Sequence, residues 1–136
     1  MRVIGFNFTK LSAEKLKESG ENIKINTEMD VSEISEAKLP LLKTKEGILE
    51  AKFIYKVNYD PGMARVVIEG KVLISMEEKN AEEILKGWKK KSLPEEFRMQ
   101  LFNIILKKST LKALGFCDEL SLPLHVPLPS LRKEKE

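Results

Sequence analysis

The chain has 136 residues, of which 42% are hydrophobic and 33% charged. This length suits one domain with a substantial core. The 24 basic and 21 acidic residues nearly cancel, and the basic ones are spread along the chain, which argues against a nucleic-acid-binding protein. The short run Lys89-Lys90-Lys91 is interpreted as part of a solvated face.

The first third of the chain is typical of β-strands. Alternating aromatic and small residues in VIGFNFTK (3–10) predict a first strand. The polar stretch LSAEKLKESGE (11–21) is interpreted as a connection, with one helical turn at most. In NIKINTEMDVSEI (22–34), apolar and polar residues alternate again, which predicts a half-buried second strand.

Two longer alternating segments form the clearest pattern. GILEAKFIYKVNY (47–59) and ARVVIEGKVLISM (64–76) each place their apolar residues on one face. Pro61 and Gly62 lie between them and supply turn chemistry. The pattern therefore predicts a long antiparallel hairpin.

After residue 78 the periodicity becomes helical. NAEEILKGW (80–88) predicts a short helix, with Asn80 as its N-cap. Ser92 and Glu95 have the spacing of a capping box, which predicts the start of a long helix that Gly115 ends. Four strands followed by helices indicate an α+β fold, with a four-stranded antiparallel sheet followed by a short and a long helix.

The end of the chain, LSLPLHVPLPSL (120–131), contains three prolines and cannot be a helix. We call residues 120–128 the strap, and expect it to be extended and to close the core or a groove, either on its own subunit or on a neighbour. His125 and the prolines are expected to point away from an apolar stripe of alternate residues, which are Leu120, Leu122, Leu124, Val126 and Leu128. Residues 132–136 are predicted to be a charged, disordered tail.

The residues that usually carry catalysis are scarce. There is one histidine and one cysteine, too few for a zinc site, and the glycines lack phosphate-loop spacing. Cys117 and His125 could form a reactive pair, but a buried thiol and a space-filling imidazole are the favoured interpretation. We therefore expect a protein that is not an enzyme and has no metal or cofactor.

Other features concern the setting of the protein. A single cysteine fits a reducing compartment, and the N-terminal apolar stretch is too short and interrupted for a signal peptide or membrane span. We therefore expect a cytoplasmic protein. The predominance of lysine and glutamate among the charged residues is a bias reported for hyperthermophile proteins, which predicts a thermophilic source.

Apolar side chains exceed what one sheet face and one helix stripe can bury. Self-association through the second face of the long helix is one interpretation, with an interface formed by Leu101, Phe102 and Ile105. A groove for an apolar client is the other. Its candidate peptide-binding residues are Phe53, Tyr55, Tyr59, Trp88 and Leu93. For Phe53 and Tyr55, a place in the core is the alternative.

The order of elements resembles that of the SecB protein-export chaperone family. The resemblance is carried by VIGFNFTKLSAEK, by the hairpin EAKFIYKVNYDPGMARVVIEGKVLISM, and by the ending LPEEFRMQLFNIILKKSTLKALGFCDELSLPLHVPLPSL. In that family, four antiparallel strands precede a helix, a connecting loop and a long second helix, and the chains assemble as a dimer of dimers. The resemblance therefore implies a single SecB-like domain over residues 1–131 and a homotetramer.

The resemblance also implies an ATP-independent holdase, which binds unfolded polypeptide clients in apolar grooves between the sheet and the loop that connects the helices. Members that deliver clients to the export motor present an acidic surface, whereas this chain is slightly basic. A stand-alone or toxin–antitoxin-associated chaperone fits this charge better. The alternatives are a carrier of a small apolar ligand or lipid and a structural subunit of a fixed complex.

Overall fold

The computed structural model describes residues 1–18, 22–38, 46–131 and 133. The described residues form the strands β1 (Arg2–Lys15), β2 (Lys24–Glu36), β3 (Glu46–Asp60) and β4 (Ala64–Glu77), and then the helices α1 (Glu78–Lys89) and α2 (Glu95–Glu119). The strands make one antiparallel sheet in the order β1-β4-β3-β2. The predicted α+β fold, a four-stranded antiparallel sheet followed by a short and a long helix, is confirmed.

The inner face of the sheet supplies most of the core. Alternate residues of the two central strands are buried on this face, as the period of two requires. They are Leu49, Ala51, Phe53, Tyr55, Val57 and Tyr59 on β3, and Ala64, Val66, Ile68, Val72, Ile74 and Met76 on β4. Both helices cover this face, α1 at the end of the sheet where β3 begins and α2 across β3 and β4.

The outer face of the sheet carries charges of both signs in cross-strand pairs. Three salt bridges join neighbouring strands there, namely Lys10–Glu69, Lys52–Glu33 and Lys71–Glu50. Their side chains are at least partly exposed, so each pair contributes about 0–1 kcal/mol. The pairing makes this face mixed in charge rather than acidic.

Helix α2 packs on the sheet through a single stripe. Every fourth side chain is buried, and the set is Phe97, Leu101, Ile105, Ser109, Ala113 and Cys117. Ser109 and Ala113 are small, which lets the middle of the helix approach the sheet closely. At the edge of the sheet, Lys108 and Lys112 of α2 lie 5.9 and 5.7 Å from the ring centroids of Phe6 and Phe8.

Strand β1 is longer than the sequence pattern predicted. Residues 11–15 continue the strand instead of forming a polar connection, because Leu11 pairs with Ile68 and Ala13 with Val66. A register shift between Phe8 and Lys10 interrupts the simple alternation on which the prediction rested. The interpretation of this segment as a connection with a helical turn was wrong.

The predicted ends of the helices also need correction. Asn80 lies inside α1 rather than at its N-cap, and α2 begins at Glu95 without a side-chain cap, so the predicted capping box does not form. Ser92 instead belongs to the turn after α1, where its N–H donates to the carbonyl oxygen of Gly87. Gly115 does not end α2, which continues to Glu119 and buries Cys117 against the core.

The strap lies on its own chain, but its predicted alternation is wrong. Leu122 is buried, whereas Leu124 and Leu128 are exposed. His125 points inward, because its imidazole bonds to the hydroxyl of Tyr55. The hydrogen bond of the His125 imidazole, and not the alternation of apolar residues, therefore decides which side of the strap faces the core. Of the tail predicted over 132–136, only residue 133 lies within the described residues.

Candidate functional site

A groove opens where β2, the loop between α1 and α2, and the first turns of α2 meet. Its volume is about 1050 Å³. Four of its lining residues are apolar, Val31, Trp88, Leu93 and Phe102, and six are polar or charged, Asp30, Lys89, Lys91, Ser92, Glu95 and Arg98. We refer to this set of ten residues as the groove.

The groove has an apolar floor and a charged rim. Val31 is buried, and the side chains of Trp88, Leu93 and Phe102 are half-buried, so part of each ring or branch faces the open space. All six polar and charged lining residues are exposed. Half-buried large apolar side chains around an open concave surface are typical of interaction sites rather than of a closed core.

The loop between the helices has a fixed backbone. The N–H of Ser92 donates to Gly87 O at 2.7 Å, and the N–H of Lys91 donates to Trp88 O at 3.1 Å. Lys91 has a φ of 55°, in the left-handed region, which completes the turn. Gly87 is needed for this approach, since a Cβ at that position would collide with the carbonyl oxygen of Ser92. These contacts hold Trp88 and Leu93 on the same side of the groove.

Strand β2 supplies the opposite wall and an open sheet edge. It has one neighbour, β3, so along its other side the backbone has no strand partner among the described residues. A register shift between Val31 and Glu33 bulges the strand beside the groove. An extended peptide can therefore reach both side-chain contacts in the groove and backbone groups at the edge.

The predicted peptide-binding residues fall into two places. Trp88 and Leu93 line the groove. Phe53, Tyr55 and Tyr59 are at most 1% exposed on the inner face of the sheet, beneath α2 and the strap. The structure thus brings together the two residues that flank the interhelical loop, and separates them from the three rings of β3.

The predicted interface residues are also divided. Leu101 and Ile105 are fully buried against the sheet of their own chain, whereas Phe102 lines the groove. The apolar side chains of α2 that are exposed are Met99, Leu106 and Leu111. The role of Leu101, Phe102 and Ile105 in self-association stays a prediction.

Sequence reasoning missed the contribution of β2 and of the start of α2. Asp30 and Val31 lie more than fifty positions before Trp88, and only the strand order brings them to the groove. Arg98 carried no signal of its own in the sequence. The signal that could have found it was its position one turn after the helix start, next to an already suspected loop.

A buried polar cluster lies at the other end of α2. The hydroxyl of Tyr55 is 2.8 Å from Nε2 of His125 and 3.2 Å from Oγ1 of Thr110. The hydroxyl of Tyr59 donates to Pro123 O at 2.5 Å and lies 3.0 Å from Sγ of Cys117. The two tyrosines therefore fasten the strap to β3 and α2.

Burial sets the charge states in this cluster. It raises the pKa of the Tyr55 hydroxyl, an effect that the neighbouring Cys117 reinforces. Burial also raises the pKa of Tyr59, with the contact to Cys117 as the next cause. Burial lowers the pKa of His125 and so favours the neutral imidazole. The Sγ of Cys117 is 3.9 Å from Nδ1 of His125 and fully buried, a geometry that suits packing better than attack on a substrate.

Two kinds of feature are absent from the described ranges. No group of three or more His, Cys, Asp or Glu residues there could hold a metal ion. No helix within those ranges is long and apolar enough to cross a membrane.

Comparison with known proteins gives similarity in structure without similarity in sequence. No protein-family model matches the chain, and no curated protein matches its sequence. Among solved structures, the fold is similar to the SecB-like chaperone Rv1957 of Mycobacterium tuberculosis, in complex with a ChAD peptide from the antitoxin HigA1. The TM-score is 0.50 at 11% identity, over 98% of this chain and 92% of that chain. The chain therefore has a SecB-like fold.

Proposed function

We propose that this protein is an ATP-independent holdase that binds non-native polypeptide segments in the groove. The observation that carries the proposal is the groove itself, with Trp88, Leu93 and Phe102 half-buried around an open space of about 1050 Å³. The fold adds support, because the similar chain of known structure is a chaperone in complex with a peptide. The proposed function is the binding of polypeptide clients in the cytoplasm, without catalysis of a reaction.

The open shape of the groove favours a polypeptide over a small enclosed ligand. Six of the ten lining residues are exposed, so the space is open along its rim and can admit a chain that enters and leaves. Burial of an apolar client side chain against Trp88 and Leu93 would supply about 25 cal/mol per Å² of apolar surface. The unpartnered edge of β2 would add main-chain hydrogen bonds that do not depend on client sequence.

Within this proposal, Trp88 and Leu93 contact the client directly. Phe53, Tyr55 and Tyr59 would reach a client only if α2 and the strap moved away from the sheet, because their rings are covered in the closed arrangement. Self-association remains part of the proposal, as a dimer of dimers. The exposed Leu106 and Leu111 on α2 are apolar surface that another copy could cover.

The experiment that tests the proposal uses the fluorescence of Trp88 to report client binding, since Trp88 is the only tryptophan in the chain. A permanently unfolded, tryptophan-free client is titrated into the protein without ATP, and Trp88 emission is recorded. Binding should shift the emission to shorter wavelength as the indole leaves water.

The variant Leu93→Asp places a charge on the groove floor and should weaken binding about tenfold or more, since an unpaired buried charge is costly. The matched control is Leu16→Asp, an exposed leucine at the opposite end of the sheet, and it should bind like the parent. Circular dichroism verifies that both variants fold. An emission spectrum that the client leaves unchanged, together with no co-elution in gel filtration, would contradict the proposal.

A further inference from the structure

The rim of the groove carries two acidic and three basic residues, which differ in whether they have partners within the chain. Both acidic residues already have favourable partners within the chain. The Oδ1 of Asp30 accepts the N–H of Val31 at 2.9 Å. Glu95 is the first residue of α2, where the unpaired N–H groups of the helix start stabilise a carboxylate.

Two of the three basic residues lack such partners. Lys89 lies in the last turn of α1, where it complements the helix dipole. Lys91 and Arg98 are exposed, and neither forms a salt bridge within 4.0 Å to any described residue. Within the described residues, Lys91 and Arg98 therefore have no carboxylate partner, and they lie beside the half-buried apolar side chains of the groove.

The position of Lys91 is fixed. Its N–H and the N–H of the next residue bond back to the end of α1, and its φ of 55° is held by that turn. Arg98 is anchored in the first turns of α2, where its own N–H donates to Pro94 O at 3.0 Å. Both cations thus project from rigid backbone at the rim, beside the apolar floor formed by Trp88, Leu93 and Phe102.

We infer that the groove selects client segments in which apolar side chains are flanked by aspartate or glutamate. The apolar side chain occupies the floor, and the flanking carboxylates lie against Lys91 and Arg98. A segment flanked by lysine or arginine meets like charges there and binds less well. This inference rests on the proposed function and adds a client class to it.

The test compares three short peptides with the same apolar centre and no tryptophan, flanked on both sides by glutamate, by glutamine or by lysine. Trp88 emission reports the dissociation constants. We expect the glutamate-flanked peptide to bind about threefold to tenfold more tightly than the glutamine-flanked one, because each exposed pair contributes little. The lysine-flanked peptide should bind most weakly, and high ionic strength should reduce all three differences.

The variants assign the effect to the two cations. Lys91→Asn removes one charge with a residue that tolerates the left-handed backbone, and Arg98→Gln removes the other. The double variant should bind the three peptides about equally. Lys107→Gln, on the same helix outside the groove, is the matched control and should keep the preference.

The possible failures are distinguishable. If none of the peptides binds, the proposed function fails. If the glutamine-flanked peptide binds and the glutamate-flanked one binds no better, the charge inference is overturned while the proposed function stands. If a single-stranded oligonucleotide displaces the glutamate-flanked peptide at equal concentration, the site binds polyanions in general. This result too would overturn the inference.

Discussion

Ser109 lies in the middle of the α2 stripe that faces the sheet, and its hydroxyl is fully buried without a hydrogen-bond partner among the described residues. Leaving such a group unsatisfied costs about 1–3 kcal/mol. We therefore expect Ser109→Ala to raise the free energy of unfolding by about 1 kcal/mol, as measured by urea denaturation. The matched control is Ala113→Ser, one turn later on the same stripe, which should lower it. A lower free energy of unfolding for Ser109→Ala would show that the hydroxyl is hydrogen-bonded, and it would contradict this prediction.

His125 makes the stability of the fold depend on pH in the acidic range. Burial holds its pKa below the ordinary value of 6.5, so the folded state binds fewer protons than the unfolded state as the pH falls below that value. Stability should therefore fall as the pH is lowered through 6.5 toward the folded pKa. The polar groups that face the ring are the Tyr55 hydroxyl and the Cys117 thiol.

The measurement is the urea midpoint as a function of pH for the parent and for His125→Gln. The difference between the two separates the histidine from the carboxylates, which also titrate in acid. We expect the parent to lose more stability than the variant between neutral pH and pH 5. Parallel curves would mean that the imidazole is not buried in the way described.

For individual residues, the sequence predicted little of the polar cluster at Tyr55, Tyr59 and His125. The contacts of Tyr55 and Tyr59 with the strap span more than sixty positions, and no local pattern encodes them. The alternation of leucines placed His125 on the solvent side, because apolar spacing gives no weight to one ring that can bond to two buried groups. Trp88 and Leu93 were predicted for a local reason, their position at the loop between two helices.

Among the elements, the loop between α1 and α2 determines the shape of the groove. Gly87→Ala should displace this loop, because the new Cβ collides with the carbonyl oxygen of Ser92, and should weaken client binding several-fold. Gly115→Ala is the matched control, since it lies inside α2 with open space around the new Cβ. It should stabilise the protein by about 0.5–1 kcal/mol and leave binding unchanged. Equal binding by both variants would show that the loop position does not matter for clients.

The strap is held through one buried leucine and two tyrosine hydroxyls. Leu122→Ala should destabilise the protein by about 2–3 kcal/mol and speed the labelling of the Cys117 thiol, which is fully buried and lies 3.9 Å from His125 of the strap. Leu124→Ala, two residues along and 40% exposed, should change stability by less than about 0.5 kcal/mol and leave the labelling rate unchanged. If the two variants label Cys117 at the same rate, the strap does not cover the core at Leu122.

The elements were predicted where periodicity decides the structure and missed where packing does. The hairpin of β3 and β4 followed directly from alternation and the turn at Pro61 and Gly62. The capping box was wrong because Ser92 belongs to the backbone turn that closes α1, and the end of α2 at Gly115 was wrong because burial of Cys117 against the core extends the helix. The full length of β1 was hidden by its bulge.

For the whole molecule, the sequence predicted the order of elements but not the order of strands in the sheet. That order, β1-β4-β3-β2, brings β2 to the groove and leaves its edge open. The mixed charges of the outer face agree with the near-neutral composition of the chain.

The most direct test of the holdase proposal is suppression of aggregation of a reduced, unfolding client protein in the absence of ATP, followed by light scattering, with the mass of the protein measured on the same sample. We expect protection that saturates near stoichiometric amounts for the parent and for Leu16→Asp, and that is largely lost in Leu93→Asp. A folded parent protein that leaves the aggregation curve unchanged in several-fold molar excess would contradict the account.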